Sequence, residues 1–389
     1  MSMQKYIAKR FQSFQSGLSL DTDALRRYSD VIDLSIGDTD FVTDSRIIDA
    51  AFADAKAGCT HYGDPKGDPA LIDAYCAAWQ EDFGQILSPA EVLVTTSSCM
   101  GMAQVMLGLL NPGDEVLVPG PYFAVYKQQI ELAGGVCVEV PTREEDGYQP
   151  RIEALDAAVT VKTRALILNT PCNPTGAAYG PETLQMLARF VQQHDLLAVA
   201  DEIYTRYLYE GAFIPLRTLP EMRDRTVTLN SFSKNFMMTG WRVGVILAHP
   251  DLIRVFQHVN NGMTYTTPAI SQRAALHALR LRQEIADEYI TFYKERVYAM
   301  ADRLQRIPSF TLLRPQGTFY LFPGIEKTGL TDGAFCDLLL REAHVLVAPG
   351  SAFGKAGQGH FRIAATVPME KLMEAADRME KLHICSQNA

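Results

Sequence analysis

The segment from Ser231 to Gly244 brings several reactive side chains close together in the sequence. It reads Ser-Phe-Ser-Lys-Asn-Phe-Met-Met-Thr-Gly-Trp-Arg-Val-Gly and contains Ser231, Ser233, Lys234 and Arg242. Two hydroxyls and a guanidinium suit a phosphate dianion, to which arginine offers paired donors. Lys234, placed among cations and partly desolvated, would have a lowered pKa and supply a neutral nucleophilic amine. The alternative is that Lys234 and Arg242 are ordinary surface cations.

Asp201 follows the apolar run Leu196–Ala200, which places its carboxylate at the carboxyl end of a predicted strand. A charge buried there is costly unless it has a partner. A pyridinium nitrogen would be such a partner, because an aspartate keeps the ring protonated and the ring then stabilises a carbanion. The alternative is that Asp201 caps a helix and Glu202 lies in its first turn.

Two further polar segments follow predicted strands. The segment Asn169-Thr-Pro-Cys-Asn-Pro-Thr-Gly176 predicts a tight loop, from which the Asn173 amide could donate to a phenolate oxygen. The segment Thr95-Thr-Ser-Ser-Cys-Met-Gly101 predicts a helix start, where backbone amides and the helix dipole favour a phosphate. The alternatives are a plain turn for the first segment and a plain Ser/Thr helix cap for the second.

The apolar runs are short, rich in valine, isoleucine and leucine, and alternate with helical patterns. Such runs predict the buried strands of a mainly parallel sheet that is covered by helices on both faces. The runs are Val92–Thr95, Glu115–Val118, Ala165–Leu168, Leu196–Ala200, Thr226–Leu229 and Val243–Ala248. We therefore expect an α/β fold in which loops at the carboxyl ends of the strands line the ligand crevice.

The last hundred residues mix helical and extended patterns and predict a separate α+β portion. Its predicted elements are a helix from Glu284 to Arg306, strands Phe310–Leu313 and Thr318–Phe322, and a helix from Met369 to Leu382. A chain of 389 residues exceeds the usual size of a single core. We expect a large domain of residues 46–283 and a small discontinuous domain of residues 1–45 and 284–389.

The composition predicts a soluble cytoplasmic protein that binds small molecules. A net charge of −9 gives no general attraction to nucleic acid or anionic lipid. Seven cysteines without C-x-x-C spacing suggest neither a disulfide framework nor a zinc ribbon, and the histidines lack metal-ligand spacing. We expect no metal, no signal peptide in Met1–Arg10 and no membrane span, since Val92–Gly113, the longest uncharged stretch, is broken by polar residues.

Together these segments resemble the class I and II aminotransferases of fold type I, in order and spacing along nearly the whole chain. The resemblance implies a mainly parallel sheet of seven strands, a smaller α+β domain and pyridoxal 5′-phosphate (PLP) as cofactor. Lys234 would form the Schiff base and move the proton between the substrate α-carbon and the cofactor. Asp201 would contact the pyridine nitrogen, and Tyr204 and Asn173 would donate to the ring oxygen O3′.

The resemblance also assigns the remaining cofactor contacts. Phe123 would stack on the ring, with Tyr122 as the alternative, and Tyr62 would reach across a homodimer interface to the neighbouring active site. The phosphate would be bound by Ser97, Ser98, Cys99, Ser231, Ser233 and Arg242. The Asn173–Pro174 peptide bond is expected to be cis.

The substrate carboxylate is assigned by the same resemblance to Gly37, Asn173 and Arg362. An arginine suits this role because its planar fork matches a carboxylate. The expected reaction moves an amino group from an L-amino acid to a 2-oxo acid. The alternatives are a PLP-dependent C–S β-lyase on the same scaffold and a non-catalytic ligand-sensing module.

A cation for a substrate side-chain carboxylate is missing where relatives place one. Some aspartate-specific relatives have a lysine at the position of Cys99, others an arginine within Asn260–Pro268, and this chain has neither. Tyr265 and Tyr320 are expected to line an apolar distal pocket. We therefore expect neutral aromatic, thioether or aliphatic amino acids to be preferred over aspartate. Three arginines could restore a dicarboxylate site: Arg10, Arg26 and Arg273.

Overall fold

The computed structural model of the chain describes residues 3–11 and 28–386. These residues form a seven-stranded sheet, a three-stranded antiparallel sheet and a two-stranded parallel sheet. The strands are β1 (Ile32–Asp33), β2 (Val92–Thr95), β3 (Glu115–Gly120), β4 (Val136–Pro141), β5 (Thr163–Asn169), β6 (Leu197–Asp201), β7 (Thr226–Ser231), β8 (Gly244–Leu247), β9 (Tyr320–Leu321), β10 (Val345–Leu346), β11 (Ala348–Pro349) and β12 (Phe361–Ala364).

Helices cover the large sheet and complete the smaller portion. Their bounds are Ser45–Lys56, Pro69–Phe83, Ser97–Leu109, Val125–Leu132, Ile152–Ala158, Pro181–Gln193, Phe232–Asn235, Pro250–Met263, Ala269–Arg280, Arg282–Leu304, Asp332–Leu338, Met369–Glu380 and His383–Ser386. Within the described ranges, none of these helices has the length and apolar character needed to cross a membrane.

The large sheet has the strand order β2-β8-β7-β6-β5-β3-β4 and is parallel except at β8, which runs antiparallel to both neighbours. This confirms the mainly parallel α/β fold. Strand β4 is missing from the predicted apolar runs. It lies at the sheet edge, only one of its six residues is buried, and it includes Glu139, so its composition does not report a buried strand.

The strands of the large sheet are apolar throughout because both of their faces are buried. In β6, Ala198 and Ala200 belong to one core cluster, together with Leu187 of the helix Pro181–Gln193. Val199 belongs to the cluster on the opposite face. Asp201, the last residue of β6, therefore lies at the end of a strand that is packed on both faces.

The smaller portion has its own core, in which the N-terminal strand packs with C-terminal elements. β1 pairs in parallel with β10, and Ile32 shares a core cluster with Met300 and Leu372. The strand predicted at Phe310–Leu313 is wrong, because only Thr311 makes an isolated bridge there. The predicted boundaries at residues 46 and 283 stay a prediction.

Candidate active site

A cavity of about 270 Å³ lies at the carboxyl ends of β5, β6 and β7. Asn169 and Asp201 end their strands, and Lys234 follows β7 by three residues. The smaller portion closes the cavity from the other side. Seven of the predicted site residues line it: Gly37, Phe123, Asn173, Asp201, Tyr204, Lys234 and Arg362. Segments that are far apart in the sequence are therefore brought to one crevice, as expected for open α/β sheets.

Lys234 lies on the short helix Phe232–Asn235, whose first turn is capped by the Ser231 hydroxyl. Its ammonium group donates to the Gly37 carbonyl at 2.5 Å. Burial lowers the pKa of Lys234 to about 8, the Asp38 carboxylate opposes this, and nearby guanidinium groups, including that of Arg362, reinforce it. The amine is therefore deprotonated more easily than an ordinary lysine, in agreement with the prediction from its neighbours.

Asp201 is buried at the end of β6 with its two carboxylate oxygens in different surroundings. Oδ2 accepts a hydrogen bond of 2.5 Å from the Tyr126 hydroxyl, while Oδ1 is buried without a hydrogen-bond partner among the described residues. Burial raises the pKa of Asp201 to about 6, and the hydrogen bond from Tyr126 and the nearby Ile203 amide oppose the rise. No helix begins at Asp201, so the N-cap alternative is wrong.

Asn169 joins two of the predicted residues and was not itself predicted. Its side-chain amide donates to the Asp201 carbonyl at 3.0 Å, and its Oδ1 accepts from the Asn173 amide at 2.9 Å. Asn173 is thereby held relative to the end of β6. The Asn173–Pro174 peptide bond is cis, which confirms the prediction.

Arg362 is a buried guanidinium surrounded by neutral groups. Nη1 donates to Asn173 Oδ1 at 3.0 Å and Nη2 donates to the Ser35 carbonyl at 2.5 Å. The rings of Tyr320 and Phe353 lie 4.6 and 4.7 Å from it. Nε is buried without a hydrogen-bond partner among the described residues, and burial lowers the pKa of Arg362. A buried cation without an anion is costly, so the site favours an anionic ligand.

Tyr204 is also buried, and its hydroxyl lies 3.3 Å from that of Tyr320. Burial raises the pKa of Tyr204 well above its usual value, which keeps the phenol protonated. Gly37 lies against the same Tyr320 hydroxyl so closely that a Cβ atom at this position would overlap it. Glycine is therefore needed there for steric reasons.

Phe123, rather than Tyr122, is the aromatic residue at the cavity. Phe123 lines it and packs edge to face on Tyr126. Tyr122 is buried behind it, and its hydroxyl lies 3.9 Å from Cys137 Sγ. The structure therefore removes the one-residue ambiguity about which ring faces the cavity.

The predicted phosphate-binding residues do not line this cavity. On the first of the two segments concerned, Thr96 makes no side-chain cap to the helix Ser97–Leu109, so the Ser/Thr-cap alternative holds only at Ser97, whose hydroxyl accepts from the amide three residues on. Ser97 Oγ accepts from the Met100 amide at 3.3 Å. The amides of Ser98 and Cys99 lie in the first turn, where no intrahelical acceptor is available to them.

The second segment meets this helix start. Gly244 pairs with Ser231 across β7 and β8, and a Cβ atom on Gly244 would lie 2.6 Å from the Ser98 amide nitrogen. Ser233 is buried next to Ser231, whose hydroxyl accepts from its amide at 3.1 Å. The Arg242 guanidinium lies close enough to lower the pKa of both Lys234 and Cys99, although burial raises that of Cys99 overall. The two segments therefore meet near Lys234.

Tyr62 lies outside the cavity with 85% of its surface exposed. Its ring packs edge to face against Tyr265, with the centroids 5.5 Å apart. Tyr265 was expected to line the cavity with Tyr320, but it does not line the cavity of its own chain and is 48% exposed. It follows the helix Pro250–Met263 and stacks on Tyr62 instead of turning inward.

Lys234 and Arg362 are the only cationic residues lining the cavity within the described ranges. Arg273 is held in ion pairs with Asp54 and Asp68 at 2.6 and 3.1 Å, so it is not free to enter. Arg10 lies over the Phe11 ring and is not a lining residue, while Arg26 lies outside the described residues. In the described part of the chain, no cluster of His, Cys, Asp and Glu could hold a metal ion.

Comparisons with known proteins agree with this geometry. The family of class I and II aminotransferases matches residues 29–379. The chain is 39% identical over 360 residues to an aspartate aminotransferase of Pyrococcus abyssi, covering 91% of this chain and 92% of that protein. It is 39% identical over 361 residues to an aromatic-amino-acid aminotransferase of Thermococcus litoralis, covering 90% and 91%.

The solved structures agree with the sequence comparisons. The crystal structure of an aromatic aminotransferase from Pyrococcus horikoshii superposes with a TM-score of 0.88 at 39% sequence identity, covering 92% of this chain and 97% of that one. The match therefore includes both the large sheet and the smaller portion that closes the cavity. The chain belongs to the class I and II aminotransferases, which are PLP-dependent enzymes of fold type I.

Proposed function

We propose that this enzyme transfers the amino group of a neutral L-amino acid, aromatic, thioether or aliphatic, to a 2-oxo acid. The proposed substrate class rests on which positively charged side chains line the cavity. Within the described ranges, Arg362 is the only guanidinium that lines it. One guanidinium can bind the α-carboxylate that all amino acids share. It leaves none for a second carboxylate.

The residues around the cavity fit PLP. The unpaired Oδ1 of Asp201 is a buried acceptor that suits a protonated pyridine nitrogen. Phe123 offers a ring for stacking, and Tyr204 and Asn173 offer donors for O3′. When bound, PLP supplies a protonated ring that stabilises negative charge at the substrate α-carbon.

Lys234 is assigned the covalent attachment of the cofactor and the proton transfer at the α-carbon. Both tasks need an unprotonated amine, and a pKa of about 8 leaves a useful fraction of it neutral near pH 7. The Gly37 carbonyl, which accepts from Nζ, holds the side chain at the cavity wall. The positive charges of Arg362 and Arg242 favour the neutral form.

Arg362 is assigned the substrate α-carboxylate. Asn173 and the Ser35 carbonyl hold its two terminal nitrogens, so the plane of the guanidinium is set before the substrate arrives. Gly37 lets the backbone approach the same place, because no side chain would fit beneath Tyr320. Such preorganisation lowers the cost of orienting the substrate.

The phosphate is assigned to the two segments that meet next to Lys234. The helix start offers backbone amides and the positive end of the helix dipole, and the second segment offers hydroxyls and a guanidinium. The residues are Ser97, Ser98, Cys99, Ser231, Ser233 and Arg242. Tyr62, which is exposed in one chain, is assigned to the neighbouring active site of a cytoplasmic homodimer.

The preference for neutral substrates follows from the cost of burying a charge. The cavity walls include Ile36, Val125, Ile203 and Phe353, which offer no hydrogen-bond donor to a distal carboxylate from their side chains. An unpaired polar group buried against apolar surface costs a few kcal/mol, which corresponds to roughly a hundredfold in kcat/KM. Aspartate should therefore be the poorer donor.

The test compares kcat/KM for phenylalanine, methionine, alanine and aspartate with a common oxo acid. We expect phenylalanine and methionine to exceed aspartate by roughly a hundredfold. Cys99→Lys serves as a matched gain of charge, and it should raise kcat/KM for aspartate more than for phenylalanine. A wild-type enzyme that prefers aspartate to all three neutral amino acids would overturn the proposal.

A further inference from the structure

Tyr320 touches three of the residues that the proposed function uses. It is 2% exposed and lies on β9, where it pairs with Ala364 of β12, the strand that carries Arg362. Its amide donates to Thr318 Oγ1 at 3.1 Å, which fixes the start of the strand. The side chain is therefore buried at the cavity wall, on a strand whose backbone is held at its start.

The ring of Tyr320 lies against the Arg362 guanidinium at 4.6 Å. Arg362 has lost its hydration by burial and has no carboxylate partner among the described residues. An aromatic face attracts a desolvated cation more strongly than a hydrated one. The ring thus offsets part of the desolvation cost and limits rotation of the guanidinium about its stem.

The hydroxyl of Tyr320 lies 3.3 Å from that of Tyr204. A phenol has a single hydrogen to donate. In this structure the Tyr204 hydroxyl donates to that of Tyr320. When Tyr204 donates to the cofactor oxygen O3′ instead, its own oxygen is free to accept, and Tyr320 is the neighbour that can donate to it. A hydrogen bond received by a donor group strengthens the bond that this group gives.

We infer that Tyr320 is a positioning residue that acts through two partners: its ring holds Arg362 in the plane that binds the substrate carboxylate, and its hydroxyl strengthens Tyr204 as a donor to the cofactor. This inference rests on the proposed function. The two contacts use different parts of one side chain, so two substitutions separate them.

The experiment uses PLP-loaded wild type, Tyr320→Phe, Tyr320→Leu and, as a matched control, Phe353→Leu. Phe353 lies at nearly the same distance from Arg362, 4.7 Å, but has no hydroxyl to offer Tyr204. Two quantities are measured on each protein. One is the pH midpoint of the absorbance change of the bound cofactor, and the other is the Kd for 3-phenylpropanoate, an unreactive monocarboxylate.

Tyr320→Phe should raise the pH midpoint by about half a unit, because a weaker donor at O3′ stabilises its deprotonated form less. Its Kd should stay within about twofold of wild type, because the ring remains. Tyr320→Leu should raise the Kd about tenfold as well as the midpoint. Phe353→Leu should raise the Kd and leave the midpoint unchanged. In steady-state kinetics, Tyr320→Leu should raise KM for the amino acid more than it lowers kcat.

The inference is overturned if the midpoint of Tyr320→Phe equals that of wild type, or if Tyr320→Leu binds 3-phenylpropanoate as tightly as wild type. Thermal unfolding checks that Tyr320→Leu is folded. If Tyr320→Leu does not fold, Tyr320→Phe still tests the inference, because it keeps the buried ring. The wild-type protein separates the two hypotheses. If it binds no PLP, the proposed function fails and this inference fails with it, whereas a normal wild type with unaltered variants refutes this inference alone.

Discussion

Replacing Asp201 with Asn should stabilise the cofactor-free protein while abolishing most of its activity. The pKa of this buried carboxyl is raised from 3.8 to about 6, because burial disfavours the charged form more than Tyr126 supports it. A shift of this size corresponds to about 3 kcal/mol. Asn keeps an oxygen that can accept from Tyr126 but carries no charge, so Asp201→Asn removes this cost.

The effect has a defined pH window. Because the pKa in the folded protein lies above the ordinary value of 3.8, the folded protein holds the Asp201 proton more tightly than the unfolded chain does. The contribution of the protonated form is complete below about pH 4 and is lost as the pH rises through about 6. The free energy of unfolding of Asp201→Asn should therefore match wild type at pH 4 and exceed it by up to about 3 kcal/mol at pH 8.

Urea unfolding of the cofactor-free proteins at several pH values measures this difference. Asp49→Asn, at an exposed side chain, is the control and should change little. PLP should stabilise wild type more than Asp201→Asn, because only the carboxylate pairs with a protonated ring nitrogen. Transamination should fall by orders of magnitude in the variant. A variant that is less stable than wild type at pH 8, or that transaminates at a nearly normal rate, would contradict the role assigned to Asp201.

Three further predictions address the other side of the cavity. The rate at which cofactor-free protein captures PLP should rise with pH through about 8 and then level off, because the neutral Lys234 amine reacts. Stopped-flow absorbance measures this rate, and a rate independent of pH would contradict the prediction. Gly37→Ala should cost about 1–3 kcal/mol in the free energy of unfolding and lower kcat/KM, since its Cβ atom displaces Tyr320. Arg362→Lys should raise KM for amino acid and oxo acid by roughly 10–100-fold with unchanged PLP affinity, because a lysine cannot keep the contacts with both Asn173 and Ser35. KM values equal to those of wild type would argue against the role assigned to Arg362.

Much of the cavity could be predicted because its polar residues follow apolar runs in the sequence. Asp201 lies at the end of β6 and Lys234 just after the end of β7, and a parallel sheet brings such ends together. The run of small and β-branched residues is a strong signal where both faces of a strand are buried. The edge strand β4 has three valines, but Glu139 interrupts its apolar run and only one of its six residues is buried, and it was not predicted.

Contacts between distant segments were beyond the reach of sequence patterns. Tyr126 bonds to Asp201 across 75 positions, and the Tyr204 and Tyr320 hydroxyls meet across 116. No periodicity reports such pairs, because the first depends on how the helix Val125–Leu132 packs on the large sheet and the second on how β9 of the smaller portion docks against it. The same limit explains Tyr265, whose aromatic side chain suited a pocket wall but packs on Tyr62 at the surface.

Covalent trapping shows whether Lys234 is the residue that carries the cofactor. Wild type, Lys234→Ala and Lys294→Ala are each mixed with PLP, reduced with borohydride, digested and examined by mass spectrometry. Lys294 is a lysine outside the cavity lining and serves as the control. We expect one modified peptide, containing Lys234, in wild type and Lys294→Ala, and none in Lys234→Ala. Stoichiometric cofactor fixed to the chain in Lys234→Ala would contradict it.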